Sequence, residues 1–169
     1  LIVYNKQNCT LESNKQITDG FGRVHNYLRI SLTERCNLRC FYCMPEDGVQ
    51  LSEKSNVLSH EEIIHVAKEF VKLGVNKIRL TGGEPLVKKN VEKIIRELAA
   101  LPIQLSMTTN GILLDRYLPL LKECNVNNLN ISLDTLDREQ FNYMTRRDYY
   151  DRVMANICLL YTSPSPRDT

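Results

Sequence analysis

No apolar run in this sequence approaches the ~18 residues that a membrane-spanning helix needs, and the N-terminus lacks the charged-then-apolar order of a secretory signal. Both absences lead us to expect a soluble protein. Charge of one sign is scarce too: 22 Lys and Arg stand against 20 Asp and Glu, a formal balance of +2, and no basic run is interleaved with aromatics. Nothing here argues for nucleic acid, so any bound anion must be held by a few placed Arg and Lys side chains. Nor are the six cysteines spread as a disulfide framework would spread them. Three are clustered and three scattered, which suits a reducing compartment. The chain opens at Leu1 rather than Met and reads as a fragment at that end.

What is present is ordinary globular material. With 169 residues, 43% hydrophobic and 25% charged, the chain fits a single domain able to bury a core.

The densest chemistry lies in Cys36-Asn-Leu-Arg-Cys40-Phe-Tyr-Cys43, spaced CxxxCxxC. It comes after Tyr27 to Thr33, whose alternation and β-branched content predict a strand. A loop this short must aim its three sulfurs at one shared object. Soft thiolates suit iron–sulfur clusters or zinc. Three is one ligand fewer than a closed site needs, so a four-iron cluster held here keeps one iron open for a substrate or cofactor, as catalytic metal sites do. Structural zinc is the alternative, but such sites ordinarily carry a second close pair of ligands. Here Cys124 and Cys158 fall late in predicted helices, Cys9 lies in an irregular leader, and His60 and His65 sit on a helix. Unmetallated cysteines are the third reading.

The remaining chain repeats one grammar. Residues 1–20 read as a leader or linker, with structure expected from about Phe21. Ser59 caps a helix from His60 to Gly74, with Glu61 and Glu62 in its first turn and Ile63, Ala67, Phe70 and Val71 on one face. Strands are expected at Lys77–Thr81, Gln104–Thr108 and Asn128–Leu133. Helices are expected at Lys89–Leu101, at Leu118–Cys124 beginning near Pro119, and at Asp137 to about Leu160. Four strand–helix units in a row predict an α/β fold with a parallel sheet. The unusual residues all fall at C-terminal strand ends: Cys36 to Cys43, Gly82-Gly83-Glu84-Pro85, Thr108-Thr-Asn-Gly111 and Ser132-Leu-Asp134. Parallel sheets and barrels place their chemistry on that face. The glycine pair removes side chains where another molecule can approach the backbone.

The three-cysteine loop with an aromatic before its last Cys, together with GGEP at the end of the next strand, resembles the radical S-adenosylmethionine (SAM) enzymes. A closer resemblance spans roughly residues 20 to 157. It rests on Phe21 to Pro45, Lys77-Ile-Arg-Leu-Thr-Gly-Gly-Glu-Pro-Leu86, Thr108-Thr-Asn-Gly111 and Asn130-Ile-Ser-Leu-Asp134. These blocks are similar to the MoaA family, the GTP cyclases of molybdenum cofactor biosynthesis. The resemblance implies a partial (βα)6 TIM-type barrel with about four βα units over residues 21–157. It implies a 4Fe-4S cluster on Cys36, Cys40 and Cys43, SAM contacts from Tyr42, Gly83 and Ser132, and GTP contacts from Arg29, Arg79 and Thr108.

Each of those residues also has a plainer reading. Arg29 and Arg79 suit phosphate or a purine edge but also structural ion pairs. Thr108 and Ser132 can simply cap the segments that come next in the chain, and Tyr42 can pack over the loop. Arg35 and Arg39 are expected as exposed charges beside the cluster, favouring an anionic reductase or the cluster's own charge.

The family's full barrel adds about two units and a second C-terminal 4Fe-4S cluster, for which neither Cys124 nor Cys158 can stand in. Cys158 to Thr169, a Pro/Ser tail, reads as non-native and is set apart from the fold. The expectation is therefore a C-terminally truncated radical SAM chain that binds one cluster and SAM but does not complete the GTP rearrangement, with an unpaired fourth strand that limits solubility. The partners implied are GTP and an electron donor, with no nucleic acid, no membrane, and room for a homodimer in the full-length parent. The compartment is a mitochondrial matrix in a eukaryote or the cytoplasm in a bacterium. Two alternatives stay open: a radical SAM enzyme with another substrate, and a zinc- or cluster-stabilised α/β binding module.

Overall fold

The computed structural model describes residues 16–126 and 128–162. Most of the expected leader and the last seven residues of the expected tail lie outside them.

Four strands, β1 (Tyr27–Ser31), β2 (Lys77–Thr81), β3 (Gln104–Thr109) and β4 (Asn128–Ile131), form one parallel sheet in the order β1-β2-β3-β4. Helices α1 (His60–Lys72), α2 (Val91–Ala99) and α3 (Leu114–Glu123) cross from each strand to the next, and α4 (Arg138–Thr145) and α5 (Tyr150–Thr162) come after β4. The arrangement is the expected run of βα units, part of a TIM-type barrel.

The period-two side-chain alternation of a strand divides this sheet sharply. Leu28 and Ile30, Ile78 and Leu80, Leu105 and Met107, and Leu129 and Ile131 share one face, where Ile78, Leu80 and Met107 are fully buried. They meet Ile94, Ile95 and Leu98 of α2 and Ile63, Ile64 and Ala67 of α1 in one core. The opposite face carries Arg29 and Ser31, Arg79 and Thr81, Ser106 and Thr108, and Asn128 and Asn130, in matching register. One side of the sheet supplies the burial that stabilises the fold; the other is left polar and cationic.

Local chemistry sets the helix bounds. Ser59 Oγ accepts from Glu62 N at 3.2 Å while Glu62 Oε2 accepts from Ser59 N at 2.7 Å, a reciprocal cap that fixes the start of α1.

Four local expectations differ from the structure. The segment after β4 is two helices, because Arg146 takes a left-handed conformation (φ 53°) that ends α4. Pro119 lies within α3, which starts at Leu114; its missing N–H removes one bond near the exposed side of a short helix. At the ends, Ile17 packs on the core and Thr18 bridges Val24, so structure reaches upstream of Phe21. Likewise α5 carries Cys158 on to Thr162.

Candidate functional site

Four connections leave the C-terminal ends of the strands and meet: Thr33–Met44, Gly82–Val87, Thr108–Ile112 and Ser132–Asp137. Hydrogen bonds between the connections lock them together. Thr33 O accepts from Gly83 N at 2.6 Å, and Arg35 O accepts from Glu84 N at 2.8 Å.

The two glycines serve this contact. A Cβ on Gly83 would sit 2.7 Å from the Arg35 carbonyl carbon and 2.8 Å from Glu34 O. Gly82 has φ 144°, and a Cβ there would meet Thr33 O at 2.6 Å. The close approach expected of another molecule is made by the base of the cysteine loop itself, although both glycines also border the cavity described below.

Glu84 is the buried hub, at 1% exposure. Its carboxylate accepts from Leu86 N at 3.1 Å, Thr109 Oγ1 at 2.8 Å and Asn110 N at 2.7 Å. Burial pushes its pKa above the ordinary carboxylate value, against the pull of these three donors. Asn110, 7% exposed, carries the linkage on to the cysteines. Its Nδ2 donates to Asn37 Oδ1 at 2.7 Å and points to Cys36 Sγ at 3.9 Å, while Leu38 N donates to the same sulfur at 3.4 Å.

The far side of the loop is tied to α4. Arg39 N donates to Thr145 O and Phe41 N to Met144 O, each at 3.0 Å, so the last carbonyls of α4 find their partners in the cysteine loop. Arg39 is not the free surface charge expected from sequence. Its half-buried guanidinium donates to Cys36 O at 2.7 Å and Leu38 O at 2.8 Å, bracing the loop from beneath. Arg35 is exposed.

These connections enclose a cavity of about 250 Å³. Cys36, Cys40 and Cys43 line it together with Tyr42, Gly83 and Ser132. Arg29 and Thr108 reach it from the polar face of the sheet. Arg79 stands one step behind, its Nε donating to Tyr27 Oη at 2.8 Å and its Nη1 reaching Thr108 Oγ1 at 3.5 Å. The structure thus gathers eight of the nine residues singled out from sequence on one cavity and links the ninth to it through Thr108. Tyr42 Oη bonds to the Asp134 carboxylate, which holds the phenol well above its ordinary range and fixes the ring at the rim.

The donor set can be tested against the group it would hold. Burial raises the pKa of the Cys36 and Cys40 thiols; as cluster ligands they would lose their protons to the metal's charge. Among the described residues, no three His, Cys, Asp or Glu side chains converge closely enough for a single ion. Three thiols bordering one cavity are a donor set of the kind that holds a multi-iron cluster from three corners.

A parallel α/β sheet with three thiols and a glycine strap at its strand tips defines a class, and comparison with known sequences agrees. The profile of the Radical SAM superfamily matches residues 30–163, and the chain belongs to that superfamily. Among its relatives, the mitochondrial GTP 3',8-cyclase of Arabidopsis thaliana is 57% identical over 143 residues, covering 83% of this chain and 37% of the relative. Molybdenum cofactor biosynthesis protein 1 of Drosophila melanogaster is 54% identical over 151 residues, 88% of this chain and 27% of the relative. The GTP 3',8-cyclase of Peptoclostridium acidaminophilum is 44% identical over 149 residues, 87% and 46% of the two chains. The chain therefore spans less than half the length of each of these relatives. The fold matches SuiB of Streptococcus suis, solved bound to S-adenosylmethionine, with a TM-score of 0.63 at 21% identity, covering 78% of this chain and 28% of that one. Among the described residues no helix is long and apolar enough to cross a membrane.

Sequence reasoning passed over Glu84, Asn110, Asp134 and the end of α4 as working parts. The first three lay inside motifs already marked, and their signal was a polar residue flanked by turn residues at a strand end. The contribution of Met144 and Thr145 is made through backbone carbonyls, which no residue type announces.

Proposed function

We propose that this chain is the cluster- and SAM-binding part of an enzyme that rearranges GTP into the cyclic pyranopterin precursor of molybdenum cofactor. The observation that carries the substrate reading is the pair Arg29 and Arg79. They face each other across β1 and β2 on the polar side of the sheet, and among the described residues neither has a carboxylate partner. Like charges directly opposite are destabilising in a sheet, and an anion between or above them offsets that cost. The names of the plant and bacterial relatives supply the anion: GTP.

In this reading Cys36, Cys40 and Cys43 hold a 4Fe-4S cluster, and Tyr42, Gly83 and Ser132 border the bound SAM. Bound there together, these groups would supply one-electron radical chemistry. The chain's own contribution is placement. Arg29, Arg79 and Thr108 orient GTP on the strand tips, with Tyr27 accepting from Arg79 Nε so that its remaining donors point toward Thr108. Tyr42 and Asp134 close the rim.

The second C-terminal cluster and any homodimer belong to the longer parent. An anionic electron donor is suited to the exposed Arg35 beside the loop. Oxygen-sensitive iron calls for a reducing compartment, the mitochondrial matrix or a bacterial cytoplasm.

The test uses a chain extended to the length of its relatives and reconstituted anaerobically. Conversion of GTP in the presence of SAM and reductant supports the reading. SAM cleavage with no GTP binding would assign the site to another substrate.

A further inference from the structure

We propose that Asn110 is a positioning residue for the cluster, its side-chain amide acting as a hydrogen-bond donor to the Cys36 sulfur and making the cluster easier to reduce. The proposal rests on the cluster reading above and adds to it a part for the Thr108-Thr-Asn-Gly111 connection beyond Thr108.

The geometry fixes each atom of the Asn110 side chain. Oδ1 accepts from Ile112 N at 3.1 Å, which turns the chain after β3. That leaves Nδ2 with two protons. One goes to Asn37 Oδ1 at 2.7 Å; the other lies toward Cys36 Sγ at 3.9 Å, a length suited to the large, diffuse sulfur. The Ile112 bond also settles which end of the amide faces the thiol, since the opposite orientation would set the amide N–H group against the Ile112 N–H. The main chain is held just as firmly, because Asn110 N donates to buried Glu84 at 2.7 Å. The donor is therefore fixed before any metal binds. It is also shielded from solvent: Asn110 is 7% exposed.

A donor on a ligating sulfur stabilises the more negative, reduced state of a cluster more than the oxidised state, and hydrogen bonds to sulfur are among the levers that set cluster potentials. Among the described residues two donors reach Cys36, Leu38 N and Asn110 Nδ2, of which the second is a side chain that sequence can change. Cys36 is thereby set apart from Cys43, which is exposed.

Asn110→Ser tests this. Serine retains an oxygen for Ile112 N but is too short to reach the sulfur. Asn110→Asp, which keeps Oδ1 and loses the donor, is the second variant. Each reconstituted protein is first assayed for iron and sulfide, then titrated electrochemically under EPR, with resonance Raman spectra in H2O and D2O. We expect iron content equal to wild type. We also expect an about fivefold lower reduced-to-oxidised ratio at a fixed potential in Asn110→Ser, the equivalent of one lost hydrogen bond. The Fe–S(Cys) stretch should rise and lose part of its D2O sensitivity, a change that a purely structural role would not produce. Full iron content with unchanged potential and unchanged D2O shift in both variants would overturn the proposal. Failure of wild type to hold iron would instead overturn the cluster reading on which it rests.

Discussion

Arg29 and Arg79 stand opposite each other in the register of β1 and β2, two guanidinium groups on the polar face with no carboxylate partner among the described residues. A bound anion would relieve their mutual repulsion and so couple ligand binding to folding. At low salt, GTP should raise the melting temperature of the extended, reconstituted protein. Arg79→Gln should abolish most of that rise and weaken GTP binding by about 10- to 100-fold, the range for losing a charge-assisted hydrogen bond. SAM affinity should be unchanged. Equal GTP affinity in variant and wild type, by calorimetry, would count against the substrate assignment.

Tyr27 orients Arg79 without lining the cavity. Tyr27→Phe keeps the ring and removes only the acceptor at 2.8 Å. We expect an about three- to tenfold loss of GTP affinity, one hydrogen bond's worth, with stability nearly unchanged. A loss as large as that of Arg79→Gln would mean that Tyr27 meets the substrate itself.

Gly83 has no room for a Cβ beside Glu34 and Arg35, whereas a Cβ on Gly20 would meet nothing within 4 Å. Gly83→Ala should cost about 1–3 kcal/mol by overpacking and lower iron loading by displacing the cysteine loop. Gly20→Ala should stay within about 0.5 kcal/mol of wild type. Urea denaturation and iron assays of the two variants side by side decide this. Equal stabilities would show that the loop is not seated on the glycine strap.

Glu84 gives a pH signature of unusual sign. Its pKa is raised by burial above its ordinary value of 4.5, so the folded chain holds that proton to higher pH than the unfolded chain does. Between those two values the native state binds more protons. Its stability therefore falls as pH rises from about 4.5 through the raised pKa, then levels off. Glu84→Gln should remove that slope in the metal-free chain, read as the difference between the two urea midpoints across pH 4 to 8. Parallel profiles would show that burial does not shift this carboxyl.

The strands were legible because their alternation is strict: Ile78 and Leu80 against Arg79 and Thr81 is enough to place β2 and its two faces. The candidate site was legible because its residues sit in short motifs at strand ends, and Cys36, Cys40 and Cys43 share a loop too short to scatter them. Contacts between motifs were not legible. Nothing in GGEP says that its glutamate will be buried against Asn110, or that its glycines make room for Thr33 and Arg35. Those facts depend on how neighbouring strand tips meet, which spacing along one connection does not encode. The break after α4 was hidden for a different reason: Arg146 is a residue type for which a left-handed conformation is uncommon, and a continuous helical pattern ran through it.

Anaerobic reconstitution of the chain is the most direct test of the central claim, that three thiols on the strand tips hold a cluster open to SAM. We expect about four irons and four sulfides per chain, an EPR signal of the reduced form that changes when SAM is added, and deoxyadenosine formed under reductant. One zinc per chain, or an iron chromophore whose spectrum SAM leaves untouched, would contradict it.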